Sequence, residues 1–202
     1  MPLPEPAEPE VWLHEITAPA LVLGSTQRDD VVDVVECERS GVDVVRRRSG
    51  GGAVLLVPNE VVWVDIILPA GSAGWADDVH GPMIWLGEHL DAAFAAAGVG
   101  SAAVHDGAMI TTAASRLVCF DGLGPGELTL DGAKLVGISQ RRTRAAARLQ
   151  ACWYTRYDPE VLLRLLRADV EVAQLRPVAT VSSAVALDVA AQLLARLNAH
   201  AV

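Results

Sequence analysis

The sequence predicts one α+β domain, a mostly antiparallel sheet with helices packed on it. Three observations lead to this prediction. Short β-branched runs bounded by Gly, Pro, Asn or charged residues recur through the middle of the chain, which is typical of strands joined by turns. The Asp-Gly pair inside LTLDGAKLVG predicts a hairpin. Apolar residues at three- and four-residue spacing predict one helix among the strands and two at the end of the chain.

The strand predictions follow the chain in order. Before the first helix they are PALVLG, VDVVRR, AVLLV and VVWVDIIL, and after it SAAVHDG, RLVCFDG, GELTLDGAKLVGISQRR and LQACWYTRY. The two-residue period of a strand puts Trp63 and Asp65 on the same face, in a strand of mixed exposure. The predicted hairpin turns at Asp131 and Gly132, which places Lys134 on the returning strand.

The first predicted helix covers roughly residues 75–98, with a break near Gly81 and Pro82 and a stop at Gly98. Its apolar stripe is Val79, Met83, Leu86, Leu90 and Phe94.

Two more helices are predicted at the end of the chain. DPEVLLRLLRAD has Asp158 as N-cap and Pro159 at the first helical position. SSAVALDVAAQLLARLNAH has Ser182 or Ser183 as its cap. Its apolar stripe is Val185, Val189, Leu193 and Leu197.

Charge and composition limit the function classes. The net charge of −9 argues against general nucleic-acid binding, because the phosphate backbone would be repelled. The acidic, proline-rich start does not resemble a secretory signal, and no apolar run is long enough for a bilayer. Three scattered cysteines suit a reduced compartment. We therefore expect a flexible lead-in over residues 1–10, one domain over 11–202 without an accessory C-terminal domain, no membrane partner and a cytoplasmic location.

The stretch RRRSGGGAVLLV, residues 46–57, has two interpretations. In the first, the glycines turn the chain in a hairpin between two strands, and the arginines are solvated. In the second, the stretch is an anion site, because glycines let backbone N–H groups approach a ligand and arginine matches carboxylate or phosphate oxygens. A second arginine cluster, suited to a small anion or to a solvated face, comprises Arg141, Arg142, Arg144, Arg148 and Arg156.

Lys134 is the only lysine among 16 basic residues. A compositional preference for arginine explains most of this imbalance. Lysine nevertheless offers a compact ammonium with three donors and a tunable pKa, which arginine does not reproduce. Lys134 is therefore a candidate for a chemical role.

The sequence contains none of the motifs that would indicate several other kinds of site. The five histidines are dispersed, and no Cys or His pair has metal-ligand spacing, so no metal site is predicted. The glycine run lacks the ending of a P-loop and enters a strand, which also excludes a dinucleotide fingerprint. No G-x-S-x-G elbow of a serine hydrolase occurs.

The glycine stretch and the lysine hairpin together resemble the biotin/lipoate A/B protein ligase catalytic family, in its lipoate-protein ligase and octanoyltransferase branch. Three patches carry the resemblance, which extends from about residue 11 to the C-terminus. They are RRRSGGGAV at 46–54, VCFDGLGPGELTLDGAKLVGISQRR at 118–142 and LQACWYTRYDPEVLLRLL at 149–166. The resemblance implies a biotin/lipoate ligase-like fold.

By this resemblance, the protein activates a lipoyl- or octanoyl-type acid as an acyl-adenylate, with ATP and Mg²⁺ as substrates. It then transfers the acyl group to a lysine of a carrier domain, a lipoyl domain or a glycine-cleavage H-type protein. Lys134 matches the lysine that contacts the carboxyl and phosphate oxygens, and its replacement by alanine is expected to abolish transfer while leaving the fold intact. The implied pocket residues are Arg47, Ser49, Gly50, Gly51, Gly52, Ala53, Gly137 (which leaves room for the nucleotide), Gln140 and Arg141.

Cys119 carries an alternative mechanism. CFDGLGPGEL resembles the cysteine loop of a transferase branch, including the acidic residue at Glu127. That branch takes an octanoyl group as a thioester and uses no ATP or other cofactor. The alternative interpretation of Cys119 is a small buried apolar residue, the commonest role of an unpaired cysteine and the one we expect of Cys37 and Cys152.

The chain also departs from the family pattern. Gln150 is followed by Ala151, Cys152 and Trp153 where a His-Gly pair is common, and Leu56 stands where histidine is frequent. Because of these departures, a third alternative stays open: a non-catalytic homologue that binds a ligand or a carrier domain.

Overall fold

The computed structural model describes residues 6, 8–100, 102–167 and 169–199. Much of the lead-in predicted over residues 1–10 lies outside these ranges, but the first strand, β1 (Glu10–His14), begins at its last residue. The further elements are, in chain order, β2 (Ala20–Leu23), α1 (Val34–Ser40), β3 (Asp43–Arg46), β4 (Val54–Leu56), β5 (Val61–Pro69), α2 (His80–Ala96), β6 (Ala102–Val104), β7 (Leu128–Leu130), β8 (Ala133–Arg142), β9 (Ala146–Tyr154), α3 (Pro159–Arg164) and α4 (Ser183–Ala199).

The larger sheet has six strands in the order β1-β5-β9-β8-β7-β6, and every neighbouring pair is antiparallel. The β7–β8 hairpin turns at Asp131 and Gly132, whose φ angles are 50° and 81°. Two positive φ angles are what a tight two-residue hairpin requires. The predicted α+β class, the mostly antiparallel sheet and the position of Lys134 on the returning strand are confirmed.

The smaller sheet has the order β3-β2-β4, with β2 parallel to β3 and antiparallel to β4. The glycines after Arg48 therefore connect two strands that are separated by β2, and the predicted hairpin is wrong. The connection crosses the end of β2 at Gly24, where a Cβ atom would lie 1.8 Å from the carbonyl oxygen of Gly51. Only glycine at position 24 permits this close crossing.

The elements pack in four layers. Helices α2 and α4 cover one face of the larger sheet, and the buried cluster between them includes Leu86, Phe94 and Trp153. The other face of that sheet packs against the smaller sheet. Helices α1 and α3 cover the outer face of the smaller sheet. Alternate residues of β2 point to opposite layers, so both of its faces are buried.

The exposure predicted for β5 is wrong, because this strand lies between two layers. Residues 61–68 are all buried, whereas a strand of mixed exposure was predicted. Apolar layers cover both faces of β5, which explains its near-continuous apolar sequence. Trp63 and Asp65 do share a face, as predicted, because the indole Nε1 donates a hydrogen bond of 3.0 Å to the Asp65 carboxylate.

The predicted helices are present, but some of them begin or end at other residues than predicted. Helix α2 begins at His80, so Val79 lies outside its buried stripe and is 54% exposed. Helix α3 ends at Arg164, earlier than predicted, because the chain turns there to pair with the segment before α1. Helix α1 was not predicted, although Asp33 caps its start. No helix in the described ranges is long and apolar enough to cross a bilayer.

The segment RLVCFDG is not the predicted strand. Val118 forms an isolated parallel bridge with Ala53, and Cys119–Asp121 form a 3₁₀ turn. The ammonium of Lys134 donates hydrogen bonds to the carbonyl oxygens of Cys119, in the turn, and of Gly122, directly after it. Cys119 thereby lies beside Gly51, where a Cβ atom would be 3.5 Å from its sulfur.

Candidate active site

The candidate site lies where the glycine loop (Ser49–Gly52) meets the cysteine turn (Cys119–Gly122). The backbone joins them, since Ala53 N–H donates to Leu117 O over 2.7 Å and Cys119 N–H donates to Ala53 O over 3.0 Å. A Cβ atom on Gly51 would lie 3.5 Å from the Cys119 sulfur. Two stretches that are far apart in the sequence therefore form one site.

Arg47 holds the glycine loop in place. Its guanidinium donates to the carbonyl oxygens of Gly50 and Gly52 over 2.7 and 2.8 Å, and to Val22 O over 3.2 Å. The same guanidinium lies 3.9 Å from the Cys119 sulfur. Arg47 is only 8% exposed, so the expectation of solvated arginines is wrong at this position.

Lys134 holds the cysteine turn. Its ammonium donates to Cys119 O over 3.1 Å, to Gly122 O over 2.8 Å and to the Glu127 carboxylate over 2.6 Å. Glu127 is also fixed, since it accepts from the N–H groups of Gly124 and Ile138. An ammonium has three donors, and all three have acceptors within the protein. Lys134 is 2% exposed, which makes this a buried ion pair.

Gly137 and Gln140, two further residues of the predicted site, lie on β8. A Cβ atom on Gly137 would lie 2.9 Å from the ring of Phe120, so that ring occupies the space beside Gly137. Gln140 pairs with Leu149, which belongs to the cluster beneath α2 and α4. Its side chain is therefore on the sheet face opposite to the site.

An open depression of about 560 Å³ adjoins the site. Among the described residues, Arg48 and Arg141 form no ion pair, so these two guanidinium groups are available for an anion. The depression is lined by Ser25, Arg46, Arg47, Arg48 and Arg141.

A polar network that the sequence did not predict lies beneath the site, on the larger sheet. Asp65 is fully buried on the face of the larger sheet that carries the site. Burial raises the pKa of Asp65, but hydrogen bonds from His14, Arg148 and Gln150 outweigh it and the pKa is lowered overall. The network therefore stabilises the fold at neutral pH, and this contribution is lost as the pH falls below the usual aspartate value of about 3.9. Gln150 connects the network to the glycine loop, because its Oε1 accepts from the Ser49 hydroxyl over 2.7 Å.

Of the family positions that differ in this chain, Ala151 lies away from the site, whereas Leu56 and Cys152 belong to the buried cluster that Cys119 packs against. Ala151 packs beneath α2 and α4, while Gln150 and Cys152 point toward the site. Leu56 packs between the two sheets. The side chain at residue 151 is thus on the face opposite to Cys119.

The three cysteines have different surroundings. Cys37 and Cys152 are buried, as expected, and burial raises the pKa of both thiols. Cys119 is only partly buried. In the described ranges, no three His, Cys, Asp or Glu side chains come together as a metal-ligand set.

Comparison with known proteins decides the family. The lipoyl protein ligase A/B catalytic domain matches residues 3–193. This chain belongs to that family. The lipoyl protein ligase A/B catalytic domains include lipoate ligases and octanoyltransferases. No curated protein sequence matches the chain.

Solved structures confirm the fold of this lipoyl protein ligase A/B catalytic domain. A bi-partite lipoate protein ligase of Thermoplasma acidophilum, described with its E2 lipoyl domain, has a TM-score of 0.73 at 15% identity, covering 95% of this chain and 71% of that one. Protein Ta0514 of T. acidophilum with bound lipoic acid has a TM-score of 0.68 at 14% identity, covering 97% and 74%. A lipoate-protein ligase A bound with ATP has a TM-score of 0.62 at 12% identity, covering 94% and 81%.

Gly52 provides a test of how the glycine loop meets the cysteine turn. A Cβ atom at this position would lie 2.7 Å from Cys119 N and from Val118 C, which are backbone atoms. We expect Gly52→Ala to lower the free energy of unfolding by about 1–3 kcal/mol, because the two segments must separate. Gly50→Ala is the matched control, since a Cβ atom there meets no atom within 4 Å. Thermal unfolding of both variants checks the prediction, and equal melting temperatures would contradict it.

Proposed function

We propose that this chain is an acyltransferase that carries a lipoyl- or octanoyl-type acyl group as a thioester on Cys119 and delivers it to a lysine of a carrier domain. One observation carries the proposal. The Cys119 sulfur lies 3.9 Å from the Arg47 guanidinium, at the point where the glycine loop and the cysteine turn meet. The substrate class follows the relatives, one solved with lipoic acid and one described with its E2 lipoyl domain.

The chemistry has two steps. The Cys119 thiolate attacks the carbonyl carbon of an acyl thioester donor, and the donor sulfur leaves as a thiolate. The carrier lysine then attacks the carbonyl carbon of the Cys119 thioester as a neutral amine. The new C–N bond forms, the C–S bond breaks, the nitrogen loses one proton to solvent water and Cys119 is released as a thiolate. Arg47 supplies positive charge beside the sulfur, where negative charge is present before the first step and after the second.

The same contacts argue against the adenylate role that the family resemblance implies for Lys134 and Arg47. Lys134 donates all three N–H groups to protein acceptors, and Arg47 donates to three backbone carbonyls. A phosphate or carboxylate ligand would have to displace an acceptor of Lys134, which has no further donor, and would compete with the carbonyls that Arg47 already holds. Lys134 therefore fits a structural task, which is to hold the cysteine turn, while Arg47 holds the glycine loop and places its charge beside the Cys119 sulfur.

A direct test compares two acyl sources. The wild-type protein is incubated with an octanoyl thioester donor without ATP, or with octanoate or lipoate, ATP and Mg²⁺. We expect an acyl adduct from the thioester alone, detected by intact mass spectrometry and released by neutral hydroxylamine. A protein that forms no adduct from the thioester would contradict the proposal. If it also lacked acid-dependent ATP–pyrophosphate exchange, a carrier- or ligand-binding role would remain.

A lipoate-protein ligase that forms an acyl-adenylate is the second candidate, and one observation favours it. The depression beside Arg47 contains the guanidinium groups of Arg48 and Arg141, which form no ion pair with the residues that the structure describes and suit the phosphates of ATP. A related fold has been solved with ATP. Acid-dependent ATP–pyrophosphate exchange with Mg²⁺ in the absence of an acyl adduct on Cys119 would establish this candidate instead.

A further inference from the structure

Asp65 divides its carboxylate between two sets of partners. Its Oδ1 accepts hydrogen bonds from the Trp63 indole and from Gln150 Nε2, each over 3.0 Å. Its Oδ2 accepts from His14 Nε2 over 2.8 Å and from Arg148 Nε over 2.9 Å. One oxygen therefore faces the site, and the other faces the cationic and imidazole partners.

The Oδ1 side continues into the glycine loop. A carboxylate only accepts hydrogen bonds, so the Gln150 nitrogen must face Asp65 and the Gln150 oxygen must face away from it. That oxygen accepts from the Ser49 hydroxyl over 2.7 Å, and the Ser139 hydroxyl donates to Ser49 over 3.0 Å. Asp65 thus fixes the orientation of the Gln150 amide, and the amide fixes the Ser49 side chain.

We propose that Asp65 is a positioning residue of the acyl-transfer site, which holds the glycine loop against Cys119 through Gln150 and Ser49. The expected effect on the acyl-transfer rate rests on the proposed function. The claim that Asp65 holds the glycine loop in position does not depend on that function. Ser49 begins the loop that contains Gly51, and Gly51 lies beside the Cys119 sulfur. Arg47 donates hydrogen bonds to a carbonyl oxygen of the glycine loop and to Val22 O on β2. The hydrogen-bond chain from Asp65 through Gln150 to Ser49, which we call the Asp65 relay, connects the same loop to the larger sheet.

The partners of Oδ2 stabilise the fold and do not hold the glycine loop. Substitutions can therefore test the two carboxylate oxygens separately. Arg148 forms an ion pair with Asp65 and lies over the Trp12 ring, with its guanidinium carbon 5.6 Å from the ring centroid. Neither Arg148 nor His14 contacts the glycine loop in the described ranges. Their loss should affect stability and leave the seating of Ser49 unchanged.

Gln150→Met cuts the relay, and Arg148→Met is its matched control on the other carboxylate oxygen. The first readout is hydrogen exchange at the Ser25 amide by NMR, because this N–H donates to Ser49 O over 2.9 Å only when the loop is seated. We expect exchange at Ser25 to accelerate at least about tenfold in Gln150→Met and to stay near the wild-type rate in Arg148→Met. Arg148→Met should show the larger drop in melting temperature.

The second readout is steady-state acyl transfer. We expect Gln150→Met to lower kcat at least about tenfold with an unchanged KM for the carrier, because a loop displaced by about 1 Å misplaces the reacting groups. Asp65→Asn has a single acceptor oxygen, which the Arg148 guanidinium requires, so its NH2 group should face Gln150 and kcat should fall as in Gln150→Met. A purely structural role predicts instead that kcat follows the melting temperature in all three variants.

Unchanged Ser25 exchange in Gln150→Met would overturn the inference, whatever the protein catalyses. A wild-type protein without transfer activity would contradict the proposed function and leave the exchange measurement as a valid test of the relay. The two failures are therefore distinguishable.

Discussion

Cys119→Ser should lower acyl transfer by at least about 10³-fold and eliminate the acyl adduct, while the melting temperature stays near that of the wild type. A serine hydroxyl carries no significant negative charge at neutral pH, so it cannot replace a thiolate nucleophile. The side chain is only partly buried and nearly the same size, so the fold should tolerate the change. Intact mass spectrometry with an octanoyl thioester donor and a transfer assay to a carrier domain provide the two measurements.

The other cysteines supply the controls. Burial raises the pKa of the Cys37 and Cys152 thiols, so both should remain protonated and unreactive at neutral pH. We expect iodoacetamide to modify Cys119 alone, and Cys37→Ala to retain the acyl adduct. Full transfer activity in Cys119→Ser would exclude the thioester mechanism. Transfer that is then ATP-dependent would point to the ligase.

The parts of the fold that the sequence predicts are those with strong local signals. The hairpin at Asp131 and Gly132 follows from the turn preference of that pair, and the stripes of α2 and α4 follow from helical spacing. The proximity of the glycine loop and the lysine hairpin came from the family resemblance. Spacing alone could not supply it, because the contact joins Ser49 to Ser139 on β8, 90 residues further along the chain.

The errors have a common physical cause, which is pairing between segments that are distant in the sequence. The glycine stretch looks like a hairpin because two strands flank it, but β2 is inserted between those strands. Helix α3 ends early for the same reason, since Asp33 N–H donates to Leu165 O over 2.9 Å. Helix α1 has a capping aspartate and a following Gly41 that could have indicated it.

The polar network could be predicted only in part. The strand period places Asp65 beside Trp63, but its partners His14 and Gln150 lie on β1 and β9. Their approach depends on the register of three strands, which a single sequence does not give. Glu127 was noted near the cysteine, yet its buried ion pair with Lys134 is evident only in the structure.

Lys134→Met should abolish most acyl transfer and also destabilise the protein. The sequence alone led to the expectation that replacing Lys134 leaves the fold intact, and the buried ion pair changes that expectation. Removing the ammonium leaves the Glu127 carboxylate buried without its cation, which typically costs about 3–5 kcal/mol. The carbonyls of Cys119 and Gly122 lose their donor as well, so the cysteine turn should shift and transfer should fall by about 10²-fold or more.

The double variant Lys134→Met/Glu127→Gln separates the two effects. It removes both charges, and the glutamine oxygen can still accept from the Ile138 N–H group that now donates to Glu127 over 2.9 Å. We expect it to recover a substantial part of the stability that Lys134→Met loses. We do not expect it to recover transfer, because the carbonyls of the cysteine turn still lack the ammonium that holds them.

Chemical unfolding gives the free energies of the wild type, Lys134→Met, the double variant and Glu127→Gln, and the thioester assay gives their transfer rates. Glu127→Gln keeps the ammonium and its two carbonyl acceptors, so it should retain more activity than either variant that lacks Lys134. If transfer returned together with stability in the double variant, Lys134 would serve only to neutralise Glu127. Transfer that stays lost in a stable protein would show that Cys119 depends on the ammonium to hold its turn, which is the task that the three Nζ contacts imply.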